Sequence, residues 1–204
     1  MAENLTIQES TETFESWINR EFIPESLRPD LAKASILLVP TIGFREENQP
    51  TFPVLTEDII NYFKENLPPD IIAEICIDDE QYLELALHSD YKRIGNFIVK
   101  SVAVAVFVNV LSAYIYDKYV KQEEKEPQVT IVNIDNSTHT TIINQSPEPT
   151  SLKKYLEPTK VQFSITVVDS TNTTKEFKYE GEAKDVKTAV DEIQKLWNND
   201  TTAN

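Results

Sequence analysis

The chain has 204 residues and carries 34 Asp or Glu against 19 Lys or Arg, a formal net charge of −15. A phosphate-binding surface needs clustered Lys and Arg, so this charge balance argues against a nucleic-acid partner. Only three glycines occur, and the sequence contains neither of the glycine-rich loops that bind dinucleotides or nucleoside triphosphates. The length leaves room for one or two small domains.

The expected compartment follows from the cysteine content and the first residues. The single cysteine, Cys76, cannot form an intrachain disulfide, which fits a reducing compartment. The N-terminal residues lack the basic and apolar regions of a secretion signal. We therefore expect a cytoplasmic protein, or one associated with the intracellular face of a membrane.

Residues 1–91 have the pattern of a small acidic α/β domain with two strands and three helices. The predicted elements are helices over 11–23, 56–67 and 79–89, and strands over 35–40 and 71–77. Helical spacing of apolar residues and acidic first turns indicate the helices, whereas short β-branched runs indicate the strands. A helix between two strands predicts that the strands pair in parallel.

Residues 94–116 contain one charged side chain, Lys100. Valine alternates with other residues from 102 to 110, which is the period of a strand. The apolar run is longer than an ordinary strand, however, and it contains a stripe of small or weakly polar residues at helical spacing. The stripe consists of Ser101, Ala105, Asn109, Ser112 and Tyr116. We therefore predict a long apolar central helix with an interaction stripe.

Two interpretations of this helix remain open, because an apolar helix suits either a protein core or a bilayer. Residues 92–121 hold five Lys or Arg against one Asp, a net charge of +4. Basic flanks suit anionic lipid headgroups, and small residues let a second helix approach closely. We expect close packing at Ala105, and a more tolerant position at Ala103 if that face meets lipid.

The rest of the chain is rich in β-branched residues. A linker over 122–159 contains a predicted β-hairpin over 129–145. A ββα unit over 160–204 follows, with predicted strands over 161–169 and 175–181 and a helix from Asp185. Such small pieces bury little apolar surface, so each must dock on the chain or recruit another chain. We predict an interaction surface in the hairpin at Ile131 and Ile142.

No catalytic motif is present, and neither His88 nor His139 has a second ligand at metal-binding spacing. One acidic cluster follows a predicted strand, where α/β folds place ligands. It consists of Glu74, Asp78, Asp79 and Glu80. Helix capping and a solvated surface explain the same residues. We therefore expect no cofactor and no metal.

The sequence predicts an α+β protein with an N-terminal α/β unit, a long apolar central helix and a C-terminal β-rich region that ends in a hairpin plus helix. The expected function is non-enzymatic interaction or oligomerisation, in which a protein partner or a second copy binds the C-terminal β-rich region. The first alternative is a single-pass membrane protein anchored by residues 94–116. The second and weakest alternative is a small metal-dependent hydrolase.

Overall fold

A computed structural model describes residues 4–43, 49–86, 89–121 and 158–201. The elements in chain order are β1 (Leu5–Glu9), α1 (Phe14–Ile18), α2 (Arg28–Lys33), β2 (Ile36–Val39), β3 (Phe52–Pro53), α3 (Thr56–Asn66), β4 (Ala73–Ile75), β5 (Glu84–Leu85), β6 (Tyr91–Lys100), α4 (Val104–Ile115), β7 (Lys160–Val168), β8 (Thr174–Glu182) and α5 (Val186–Thr201). A 3-10 turn, Ser101–Ala103, precedes α4, and a π-helical turn, Tyr116–Val120, extends it.

Six strands form one mixed sheet in the order β1-β8-β7-β6-β2-β4. The pairs β2–β4 and β6–β7 are parallel, and the other three pairs are antiparallel. The sheet therefore joins strands from the N-terminal, central and C-terminal parts of the sequence. The C-terminal hairpin β7–β8, too small to be stable alone, is flanked by β6 and β1.

The predicted α+β class is confirmed by this mixed sheet and its helices. The parallel pair around α3 and the C-terminal hairpin followed by a helix also form as the sequence predicts. β1 is an addition: its five residues, LTIQE, are too short and too polar to stand out in the sequence, and they pair with β8.

The prediction of one helix over 94–116 is wrong for its first part, because Tyr91–Lys100 form β6 and helical backbone begins at Ser101. β6 lies between β2 and β7, and helices cover both of its faces, because Phe97 and Val99 belong to one buried cluster and Ile98 belongs to the other. A strand buried on both faces has a continuous apolar sequence, and its period of two is hidden. The chain thus turns from strand to helix inside a single hydrophobic stretch.

The predicted helix over 79–89 is also wrong. The described residues form only a 3-10 turn, Asp79–Gln81, followed by the short strand β5. Tertiary contacts hold this segment: the Glu84 carboxylate accepts hydrogen bonds from the backbone N–H groups of Leu55 and Glu57 at 3.2 Å each and from the Tyr82 hydroxyl at 2.6 Å. Glu84 thereby caps the first turn of α3.

The helix predicted over 11–23 is shorter than expected, because α1 covers only Phe14–Ile18. Thr13 begins it with a capping box, in which Thr13 Oγ1 accepts from Ser16 N at 3.0 Å and Ser16 Oγ accepts from Thr13 N at 2.8 Å. The following residues run irregularly into Ile23, which is buried in the core. Contacts with the sheet therefore determine the conformation of residues 19–23, although their apolar residues have helical spacing.

The sheet is covered on both faces. On one face α3, α4 and α5 pack over a core that includes Phe63, Phe97 and Phe107, whose ring centroids lie 5.1–5.9 Å apart. On the other face α1 and α2 bury a second cluster around Trp17 and Cys76. Burial raises the pKa of the Cys76 thiol to about 12, so this thiol is protonated and unreactive at neutral pH.

A polar network ties α3 to the end of α4. Asp58 accepts hydrogen bonds from the Tyr114 hydroxyl at 2.8 Å and from Lys118 Nζ at 3.1 Å. Burial alone would raise the pKa of Asp58, but these two donors hold it below its ordinary value. Burial and the Asp58 carboxylate both raise the pKa of Tyr114. The network fixes the rotation of α4 about its own axis.

Candidate interaction surfaces

The first candidate surface is the side of α4 and its preceding turn that points away from the sheet. The residues facing the core, each at most 4 % exposed, are Val104, Phe107, Val108, Leu111, Tyr114 and Ile115. The opposite side, called here the outer face of α4, consists of Val102, Ala105, Val106, Asn109, Ala113 and Tyr116, and Val110 lies at its border, where it packs partly against the core. Val102 is 85 % exposed and Tyr116 is 47 % exposed.

The outer face carries no charge, since residues 101–116 include no Asp, Glu, Lys or Arg. A surface helix ordinarily places charged side chains opposite its buried face. At the centre of this face the Asn109 side chain donates from Nδ2 to the Ala105 carbonyl of its own helix at 2.7 Å. A contiguous exposed apolar surface of this kind marks a protein or membrane contact site.

The interaction stripe lies on one side of this outer face. Ala105, Asn109 and Tyr116 are exposed, and Ser101 and Ser112 are half-buried. Within the chain the close packing expected at Ala105 is not made, and the buried alanine is Ala103, at 0 % exposure. The largest apolar side chains, Phe107 and Leu111, face the sheet because they fill more of the core, which leaves the small residues outside together with Val102 and Val106.

The helical segment Ser101–Val120 is long and apolar enough to cross a membrane, a test that the core helix of a soluble protein also passes. Its inward side chains pack on α3 and β6, as the contacts of Phe107 show. The flanking lysines have partners in the chain: Lys100 Nζ donates to the Ala32 carbonyl at 3.3 Å, and Lys118 pairs with Asp58. A membrane-spanning position would remove these contacts.

The second candidate surface is a cleft of about 690 Å³ along β4, the last strand of the sheet. Its two walls come from opposite faces of the sheet. α2 contributes Leu31, which packs in the same cluster as Leu37, whereas α3 contributes Ile60, which packs with Leu38. Neighbouring residues of a strand point to opposite faces, so the two helices flank the open edge of β4.

Carboxylates outnumber lysines in this cleft, which we call the β4 cleft. The charged lining residues are Asp30, Glu57, Glu74, Asp79, Lys33 and Lys64. Lys33 pairs with Asp30 at 2.8 Å, and Lys64 lies 3.8 Å from Glu74. Within the described ranges, Glu57 and Asp79 form no ion pair with a lysine or arginine. The cleft therefore presents two carboxylates to a ligand.

The acidic cluster of the sequence is divided by the structure. Glu74 and Asp79 line the β4 cleft, whereas Asp78 caps the 3-10 turn by accepting from the Glu80 backbone N–H at 3.0 Å. In the part of the chain that the structure describes, no three His, Cys, Asp or Glu side chains converge on a point that could hold a metal ion. The arrangement gives the hydrolase alternative no support.

The remaining predicted positions lie outside the described residues. They are the hairpin over 129–145 with Ile131 and Ile142, and the two histidines, His88 and His139. Comparison of the chain with protein-family models, with curated proteins and with solved structures found no match.

Proposed function

We propose that this protein is a non-enzymatic interaction protein that self-associates through the outer face of α4. One observation carries the proposal: an apolar helix face without a charge over residues 101–116 lies exposed on an otherwise strongly acidic chain, with Val102 at 85 % exposure. Covering such a face stabilises the assembly by about 25 cal/mol for each Å² of apolar surface removed from water.

The order of residues along the face supports a second copy as the partner. Counted from Asn109, Ala105 and Ala113 lie four residues away on either side, and Val102 and Tyr116 lie seven residues away. Two antiparallel copies related by a two-fold axis therefore oppose Asn109 with itself, alanine with alanine, and Val102 with Tyr116. Alanines near the crossing point let the helix backbones approach closely.

The central asparagine supports a defined register. A single buried Asn in an apolar helix pair costs stability but selects the arrangement in which it meets a polar partner. The Asn109 Nδ2 atom already has an acceptor in its own helix, and its carbonyl oxygen has lone pairs available for a donor across the interface. Shifting the register by one turn would place this amide against an apolar side chain.

The charge of the chain makes the association dependent on salt. Each copy carries −15, so two copies repel at long range, although the contact face itself is neutral. Salt ions screen this repulsion and shorten its range to about 8 Å at physiological ionic strength. We therefore expect self-association to strengthen between low and physiological salt, opposite to the behaviour of an interface held by ion pairs.

Sedimentation velocity of the Val102→Glu variant tests the proposal. The parent is expected to sediment as a dimer that dissociates on dilution, and the variant is expected to bind its second copy at least about tenfold more weakly, which is 1.4 kcal/mol. Val102 makes little contact with the core at 85 % exposure, so the variant should fold normally. Val54→Glu is the matched control, because Val54 is an exposed valine, at 43 %, that lies between β3 and α3 and not on α4.

A parent that stays monomeric at every concentration would contradict the proposal, as would equal dissociation of the Val54→Glu control. A monomeric parent that co-sediments with phosphatidylserine vesicles, and loses this binding in Val102→Glu, would favour the membrane alternative. The C-terminal prediction is tested separately: if replacing both Ile131 and Ile142 with Lys dissociates the dimer and Val102→Glu does not, the interface lies in that region.

A further inference from the structure

We infer that the β4 cleft binds an extended basic segment of a partner protein, which adds a strand to the edge of the sheet. This site lies on a different surface from the outer face of α4 and takes a different ligand, so it goes beyond the self-association proposed above. Adding a strand to an exposed sheet edge is a recurrent way of binding peptides, in which backbone hydrogen bonds provide affinity and flanking pockets provide specificity.

The backbone of β4 provides the hydrogen-bonding groups. Cys76 N–H donates to the Leu38 carbonyl of β2 at 2.8 Å, and alternate residues of a strand direct their backbone groups to the same side. Ala73 and Ile75 therefore direct theirs away from β2. The Ile75 carbonyl accepts from Ile77 N–H at 3.0 Å. Among the described residues, this leaves the Ala73 N–H and C=O and the Ile75 N–H without a backbone partner at the edge of the sheet.

The walls of the cleft suit the alternating side chains of an extended segment. Successive side chains of a strand point to opposite faces, so one set would contact α2 at Leu31 and the other would contact α3 at Ile60. Both residues line the cleft. β-branched side chains at these positions favour the extended conformation and offer apolar contact on both walls.

Charge complementarity selects a basic ligand. Four carboxylates and two lysines line the cleft, a net charge of −2, and both lysines already lie beside carboxylates. Glu57 and Asp79 are thus the groups that a ligand's lysine or arginine would pair with. The net charge of −15 on the whole chain attracts a basic segment and repels an acidic one.

Fluorescence anisotropy with the full chain tests the inference. The probe is a capped, labelled nine-residue peptide in which pairs of valines alternate with pairs of lysines, so that valines face both walls of the cleft. The controls are the matching valine–glutamate peptide and a valine–lysine peptide with N-methylated central residues. We expect saturable binding of the valine–lysine probe and at least about tenfold weaker binding of both controls. The first control removes charge complementarity, and the second removes the backbone hydrogen bonds.

Two variants of α3 locate the binding site. Asn61 is exposed and lines the cleft, whereas Asn66 is exposed on the same helix outside it. Asn61→Trp should block the probe and Asn66→Trp should leave binding unchanged. The double variant Glu57→Gln with Asp79→Asn should weaken binding several-fold and flatten its salt dependence. Dimer dissociation by Val102→Glu should not affect the probe, so this site and the self-association can fail independently.

Several outcomes would overturn the inference. They are no binding up to about 1 mM probe, equal binding of the lysine and glutamate peptides, undiminished binding of the N-methylated peptide, or equal loss in the Asn61→Trp and Asn66→Trp variants. The third of these would point to a ligand that does not pair with β4, such as a helix lying across the cleft.

Discussion

Replacing Phe107 with alanine is expected to lower the free energy of unfolding by about 3–5 kcal/mol. Phe107 is fully buried, and its ring centroid lies 5.5 Å from that of Phe63 and 5.1 Å from that of Phe97. It therefore joins α4 to α3 and to β6 at once, and its removal leaves a cavity that three rigid elements cannot close. Urea denaturation followed by circular dichroism at neutral pH measures the change.

Val102→Ala is the matched control for this prediction. Val102 precedes α4 on the outer face and is 85 % exposed, so its truncation should change the free energy of unfolding by less than about 0.5 kcal/mol. The measurement should be made at a concentration where the protein is monomeric, since dissociation would otherwise contribute. A larger loss from Val102→Ala than from Phe107→Ala would mean that α4 faces the sheet with its other side.

Replacing Gly95 with alanine is expected to cost about 2–4 kcal/mol, the sum of a strained backbone and a steric overlap. Gly95 has a φ of +143° within β6, at an irregularity in the pairing with β7. A Cβ atom there would lie 2.9 Å from Leu38 Cδ1, and Leu38 is itself buried in the core. The Leu38 side chain must therefore shift within the core to admit the new methyl group.

Gly43→Ala separates these two costs. Gly43 also has a positive φ, +72°, but none of the described residues lies within 4 Å of the position that a Cβ atom would take there. Its substitution should therefore cost only the left-handed conformation of an alanine, about 1 kcal/mol. If the two variants unfold at the same urea concentration, the close approach between β6 and β2 is not the source of the effect at Gly95.

Local sequence signals predicted those helices and strands whose tertiary contacts favour the same structure as the local pattern. Thr56 and the acidic residues after it mark the start of α3, and prolines follow its end, so the helix between β2 and β4 could be placed correctly. The alternation in β7 and β8 is also clear, because the apolar residues of these strands face one core and the turn between them is polar. In both regions the local pattern and the tertiary contacts favour the same structure.

The sequence could not divide strand from helix within residues 91–116. β6 is apolar on both faces, and α4 is apolar on its outer face as well as its inner one, so neither period shows which residues are buried. The rings of Phe63 and Phe97, on other elements, pack on Phe107 and so place this side of α4 against the core. The stripe therefore faces outward. Helical spacing could identify the stripe through Ala105 and Asn109 but not its exposure.

The β4 cleft was beyond prediction for a related reason. It depends on α2 and α3 lying on opposite faces of the sheet and on β4 being the terminal strand. Glu74 and Asp79 stood out in the sequence as acidic residues near a strand end, but Glu57 joins them only through the fold. Two of the four residues that suggested a metal site, Glu74 and Asp79, thus line the cleft for which we propose a basic peptide ligand.

The most direct test of self-association through α4 is disulfide trapping at Asn109. The two-fold arrangement places this residue next to its own copy, and the one native cysteine, Cys76, is fully buried, so an Asn109→Cys variant has a single accessible thiol. Under mild oxidation at neutral pH we predict a disulfide-linked dimer on a non-reducing gel, while Val54→Cys, at an exposed position between β3 and α3, stays monomeric. An Asn109→Cys chain that remains monomeric, or a Val54→Cys chain that cross-links as completely, would contradict the proposed interface.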